Sequence, residues 1–363
     1  MAAAVDPAIQ LAPLHPQRIL LPHRMKTIVC QQPGTFVLED TSPPEVGEGE
    51  ALLRIHRIGI CGTDLHAFQG NQAFFTYPRV LGHELSAEVI SIPPNDRGLR
   101  PGDRVIVMPY IYCNNCPACR SGKTNCCQNM SVLGVHTDGG MREEIAVRSD
   151  LLLPAGELSH DEIAVVEPLA IGAHALRRAD VGPADTVVVI GCGPIGIGIM
   201  ALGAILGSRI IALDTNPDRL AFVREAIGID DVVQVREDSI AQVRELTNGD
   251  MARVVIDATG NRRALESGHR YMSHGGTYVL VGLSKGDLTF QHPEIHAKEA
   301  SILCSRNATL ADFAWVKQVL ESGRFPTEKY ITHRAPFDAM IARFPDWLNP
   351  DSGVIKAVVE RQP

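Results

Sequence analysis

Between residues 25 and 165 apolar residues come in short runs, several of them alternating with polar ones. ALLRIHRIGI, SAEVISI, DRVIVMPY and EEIAVRSDLLLP are separated by proline- and glycine-rich turns such as GLRPGDRV. A period of two puts alternate side chains on one face of a strand. Several such strands at this spacing predict a barrel-like β domain. From about residue 185 the pattern changes. TVVVI, RIIALD, DVVQV, RVVIDATG and GGTYVLVGL read as strands. Between them, an apolar stretch, PDRLAFVREAIG, residues 237–247 and RRALESGHRYMS read as helices. Alternation of strands and helices implies βαβ units and a parallel sheet. After about residue 310 come one more helix (DFAWVKQVLESG) and one more strand (GVIKAVVE). The fold class is therefore α/β, with a parallel-sheet domain joined to a β-rich one, and 363 residues suit two domains.

Residues 1–24 hold four prolines and no continuous apolar run, and read as an N-terminal extension without a leader. The uncharged segment 186–208 has the length of a membrane span. Its β-branched start and Gly-Cys-Gly-Pro break predict a buried strand, a turn and a buried helix instead.

Hydrophobic residues make up 45% and charged residues 21%, which excludes wholesale disorder. The net charge of −8 argues against a nucleic-acid or anionic-membrane binder. Of nine cysteines, five lie between residues 113 and 127. An odd, clustered set predicts metal ligands in a reducing compartment, hence a cytoplasmic protein.

Three constellations carry chemistry. In the first, Gly191, Gly193 and Gly196 fit G-x-G-x-x-G, with Pro194 and Ile195 opening the helix, directly after the strand TVVVI. The glycines would make the tight turn, admit a pyrophosphate and let helix and strand pack closely. The free N–H groups of the helix start favour the phosphates. Asp214 ends the next strand, where a carboxylate takes ribose hydroxyls and repels a 2′-phosphate, so NAD is expected over NADP. Arg219, five residues on, is a weak signal the other way.

In the second, Cys113, Cys116, Cys119 and Cys127 are spaced 3, 3 and 8 apart among turn formers. Four thiolates make a closed, structural zinc site. Cys126 could replace Cys127. The third is scattered: Cys61 in GICGTDLH, His83-Glu84 in LGHE, and Glu167 in VEPLA.

With GICGTDLH, VLGHE, the cysteine lobe, DGG at 138–140, VEPLA and GCGPIG followed by Asp214, the chain resembles the zinc-dependent medium-chain alcohol/polyol dehydrogenases. The resemblance covers nearly everything after residue 25. It implies a GroES-like catalytic domain over residues 25–172 and 310–363, with a Rossmann NAD-binding domain over 173–309 inserted. It implies two Zn2+ per chain and NAD. Cys61 and His83 would bind the catalytic zinc, with Glu84 and Glu167 competing for the remaining protein position. Thr63 would accept the substrate proton and His66 pass it to solvent, although Thr63 could instead cap its helix.

Glutamate at 167 resembles the sorbitol, threonine and sugar-acid branch. The strings CQQPG, GNQAFFTYPRVLGHE, KTNCCQNMSVLGVHTDGG and SRNAT resemble most the subgroup that oxidises L-galactonate. That implies a small sugar-acid or polyol substrate, with Arg306 facing its carboxylate and Arg79 and Lys298 as weaker candidates. Relatives are dimers or tetramers, so a homo-oligomer is expected, with neither nucleic acid nor membrane as partner.

Overall fold

The computed structural model describes residues 24–72 and 75–361. Apart from Arg24, the expected N-terminal extension lies outside them. The described residues form two large sheets and two two-stranded ones. In the first large sheet the order is Ile331–Pro336, Lys356–Glu360, Glu50–Ile60, Glu84–Ser91, Arg104–Val107 and Leu152–Pro154, with Glu144–Arg148 also paired to Glu50–Ile60. Glu50–Ile60 is long enough to take two neighbours along one edge. Residues 50–54 pair with Glu144–Arg148, and residues 57–60 pair with the C-terminal Lys356–Glu360. The β-rich domain is therefore closed by the last strand of the chain.

The second sheet is wholly parallel, in the order Val232–Gln234, Arg209–Asp214, Thr186–Ile190, Ala252–Asp257, Met272–Leu280 and Ser301–Cys304. In chain order this is 3-2-1-4-5-6, a Rossmann arrangement with its ligand crevice where the order reverses, beside Thr186–Ile190. Segment 186–208 is that strand plus the helix Pro194–Leu206, which ends on left-handed Gly207 (φ +94°). Among the described residues, no helix is long and apolar enough to cross a membrane.

Several sequence expectations shift: DRVIVMPY is split between two sheets, and PDRLAFVREAIG passes from α- to π-helix after Phe222. RRALESGHRYMS is helical only over Arg262–Ser267. A 3-10 turn at Gly268–Tyr271 follows, and the strand begins at Met272. Gly268 lies so close to the Tyr278 hydroxyl that a Cβ there would stand 2.5 Å from it. The fully buried Met272 pairs with Ala252 and extends the sheet ahead of the glycines. EEIAVRSDLLLP is broken by a 3-10 turn, Ser149–Leu151, so that its halves pair with different strands.

The helices Val166–Arg178 and Leu310–Glu321 pack against each other. Buried Asp312 accepts from His174 Nδ1 at 2.9 Å, Arg177 Nε at 2.7 Å and Thr309 N at 2.7 Å. Burial opposes its charge, yet these donors hold its carboxyl well below the usual range.

His56 of the strand Glu50–Ile60 and His160, which opens the short helix His160–Ala164, stack with centroids 4.1 Å apart. Burial, with His56 beside it, pushes His160 down to about 4, and burial also lowers His56. The folded state prefers neutral imidazoles, whereas an unfolded histidine titrates near pH 6.5. Below pH 6.5 the unfolded chain thus binds more protons, and stability falls with pH until about 4. His160→Phe is expected to flatten the fall in melting temperature between pH 6.5 and 4.5. An unchanged slope would remove the pair from the acid response.

Candidate metal centre and dinucleotide cleft

Cys61 caps the short helix Gly62–Phe68, and its N–H is taken by Asp64 Oδ2 at 3.0 Å. The cap is therefore Cys61 with Asp64, not Thr63. Thr63 sits half-buried in the first turn, its hydroxyl without a hydrogen-bond partner among the described residues, and His66 is exposed one turn on. Asp64 is buried, also accepts from Gly82 N at 3.3 Å, and stands 3.9 Å from His83 Nδ1. A carboxylate behind a histidine orients the ring for metal binding. His83 Nδ1 itself is buried without a partner.

The loop before Glu84 is braced by the DGG motif. Val80 N donates to Asp138, Gly139 N to Val80 O at 2.7 Å, and Gly140 N to Gly82 O at 2.9 Å. A Cβ at Gly139 would stand 2.2 Å from Gly82 O, so the backbones can touch only because it is glycine.

Donor atoms of Cys61, His83 and Glu84 all lie within 4.8 Å of one another. Glu84 is fully buried, and Lys356 Nζ bonds both its oxygens at 2.7 Å and Ile60 O at 3.1 Å. Gly59 makes room for this carboxylate, since a Cβ there would meet Oε2 at 2.1 Å. Glu167 lies outside the 4.8 Å group but is buried beside it. The Tyr110 hydroxyl donates to Glu167 Oε1. Burial, with the nearby Glu84 charge, pushes the Glu167 carboxyl up to about 7. A thiol, an imidazole and carboxylates converging in a buried hollow suit a zinc ion with an open position. Lys356, Tyr110, Asp64 and Gly59 were not foreseen. A lysine inside the apolar run GVIKAVVE was the one signal on offer.

Cys113, Cys116, Cys119 and Cys127 form the second group within 4.8 Å, and none is in a disulfide. Backbone N–H donors from Asn115 and Cys116 lower the Cys113 thiol. Cys126 is exposed and outside the group, so the lobe is wound to present Cys127. Four converging thiols fit a closed tetrahedral zinc.

At the glycine turn, Gly191 has φ +97°, and a Cβ on Gly196 would overlap Gly191 O at 1.7 Å. Gly193 has open space where a Cβ would stand, at the uncapped start of the helix. This cradle fits a pyrophosphate. The adjoining cleft of about 660 Å³ is lined by Asp214, Arg219, Thr259, Arg263 and Tyr271 among others. Asp214 accepts from Cys192 N at 2.6 Å and Asn216 N at 2.8 Å, which fixes its carboxylate at the rim. Arg219 instead donates to Cys192 O and Val354 O, both at 3.2 Å, and ties the turn to the C-terminal segment. Arg263 also lines the cleft and was not predicted.

Arg306 is exposed, and its guanidinium has no partner among the described residues. Arg79 is held by Asp138 and Thr76, and Lys298 by backbone carbonyls such as His269 O.

Residues 47–157 match the alcohol dehydrogenase GroES-like domain, and residues 194–322 match the zinc-binding dehydrogenase family. The chain is 42% identical to the L-galactonate-5-dehydrogenase of Escherichia coli K12 over 335 residues, 92% of this chain and 98% of the relative. It is 30% identical to the sorbitol dehydrogenase of Bacillus subtilis 168, over 78% of this chain and 82% of that one. The RspB dehydrogenase of E. coli CFT073, solved with NADH, superposes with a TM-score of 0.86 at 28% identity, covering 93% of this chain and 99% of that one. With a converging cysteine–histidine–glutamate group, a four-cysteine lobe and a Rossmann crevice in one molecule, this chain belongs to the zinc-type alcohol dehydrogenase family, as an oxidoreductase of CH–OH donors.

Proposed function

We propose that the chain oxidises a secondary hydroxyl of a sugar acid to the ketone, L-galactonate to D-tagaturonate, using NAD, as a cytoplasmic homo-oligomer. The observation that carries the reading is the converging group Cys61, His83 and Glu84 with Glu167 beside it. The 42% identity to an L-galactonate dehydrogenase supports the substrate. Bound zinc supplies Lewis acidity toward the substrate hydroxyl, and bound NAD accepts the hydride. Cys61 and His83 hold the metal. Glu167 is the better resting third ligand, because Lys356 engages both oxygens of Glu84 while Tyr110 engages one of Glu167. Thr63, free of internal hydrogen bonds, takes the hydroxyl proton, and exposed His66 passes it to solvent. Arg306 meets the substrate carboxylate, since Arg79 and Lys298 are already engaged.

The test is a panel of L-galactonate, L-idonate, sorbitol, L-threonine and ethanol with NAD, read as NADH absorbance with and without a chelator. Chelator-sensitive turnover of L-galactonate supports the reading. Turnover confined to another alcohol rejects the substrate. Asp214→Ala is expected to weaken NADH about 10- to 150-fold, since a charge-assisted hydrogen bond contributes about 1.5–3 kcal/mol. NADPH should bind more tightly, because the repulsion of its 2′-phosphate is gone, and an unchanged NADH/NADPH ratio by fluorescence titration would remove Asp214 from the ribose.

A further inference from the structure

A second concave site lies away from the metal centre. The helix Val166–Arg178 carries Glu167 in its first turn and Arg177 ten residues later, about 15 Å along its axis. At that far end a cavity of about 500 Å³ opens between the cysteine lobe, this helix and the segment after the last parallel strand. Lys123, Arg177, Arg178 and Arg306 line it, and no carboxylate does.

Asp312 lies behind Arg177, but His174, Arg177 and Thr309 already occupy its oxygens. Lys123, Arg178 and Arg306 make no side-chain hydrogen bond or ion pair among the described residues. The chain as a whole is net −8, so a hollow with four cations and no facing carboxylate runs against its general charge. Like charges around one hollow repel, and a multiply charged anion relieves that repulsion. Guanidinium forks and a lysine ammonium suit phosphate oxygens.

We propose that the end of this cavity lined by Lys123, Arg177 and Arg178 binds a small phosphate-bearing metabolite, about 15 Å along the helix from Glu167; Arg306, which the substrate reading uses, is not counted among its ligands. The proposal does not depend on which alcohol is the substrate.

The test is calorimetric titration of the zinc-loaded enzyme with inorganic pyrophosphate. NADH is held at saturation to cover the glycine turn, and zinc content is measured before and after. The expected result is saturable binding without zinc loss. It should weaken about tenfold in Lys123→Ala and about tenfold in Arg178→Ala, each a loss of one charge-assisted contact. It should also weaken steeply with salt. Arg306 is left intact so that its substrate role does not enter. Absence of binding in the wild type overturns the site. Binding that both variants retain unchanged, with melting temperatures equal to the wild type, overturns its location. Binding accompanied by zinc release assigns the signal to chelation and likewise overturns it.

Discussion

Cys61→Ala is expected to lower turnover at least about 10³-fold while NADH binds as before. The donor group is small: half-buried Cys61 and buried His83 and Glu84 lie within 4.8 Å, and Tyr110 donates to Glu167. Removing the thiolate leaves an imidazole and carboxylates, of which Glu84 is fully engaged by Lys356. Metal Lewis acidity contributes several kcal/mol to transition-state stabilisation, and each 1.36 kcal/mol is a factor of ten in rate. The NADH cleft is lined by residues of the other domain, so its affinity should not move. Elemental analysis should fall from two zinc ions per chain to one, because the four-cysteine lobe is untouched. A variant that kept both its second zinc and its turnover would reject Cys61 as a ligand.

Lys356→Met should destabilise the fold by about 3–5 kcal/mol, the range seen when one partner of a buried ion pair is removed. Lys356 is 1% exposed and Glu84 is 0% exposed. Burial disfavours the lysine charge, but Glu84 more than restores it, and the ammonium is held above its usual range. Without Lys356, Glu84 would stay charged at a cost or take up a proton. Glu84→Gln added to Lys356→Met should recover most of the loss, because it removes the stranded charge. Chemical denaturation of the four proteins gives the coupling energy directly. Simple additivity of the two losses would show that the pair does not act as a unit.

What could be read from the sequence follows from distance along the chain. The glycine turn, its helix and Asp214 are local, and their chemistry demands particular residue types in one order. The same holds for Cys113 to Cys127, although winding decided between Cys126 and Cys127. The catalytic group was legible only through its flanking strings. Its supports were not: Tyr110, Gly59 and Lys356 come from separate strands, and only pairing of Ala357 with Ile60 brings Lys356 beneath Glu84. Arg219 shows the same limit. It was a weak signal for the cofactor in the sequence; it lines the cleft, and its bonds to the carbonyls of Cys192 and Val354, 135 residues apart from it in the second case, had no local pattern to announce them.

The strand that closes the catalytic sheet leaves the ribosome long after the strand that carries Glu84. Glu84 and Lys356 are separated by 272 residues, which at 5–20 residues per second is about 15–50 s of synthesis. Throughout that interval the nascent β-rich domain lacks both its closing strand and the countercharge for Glu84, while the whole parallel-sheet domain emerges with every strand it needs. The parallel-sheet domain can therefore fold first, and a chain stalled before Lys356 would carry an intact nucleotide crevice beside an unfinished metal centre.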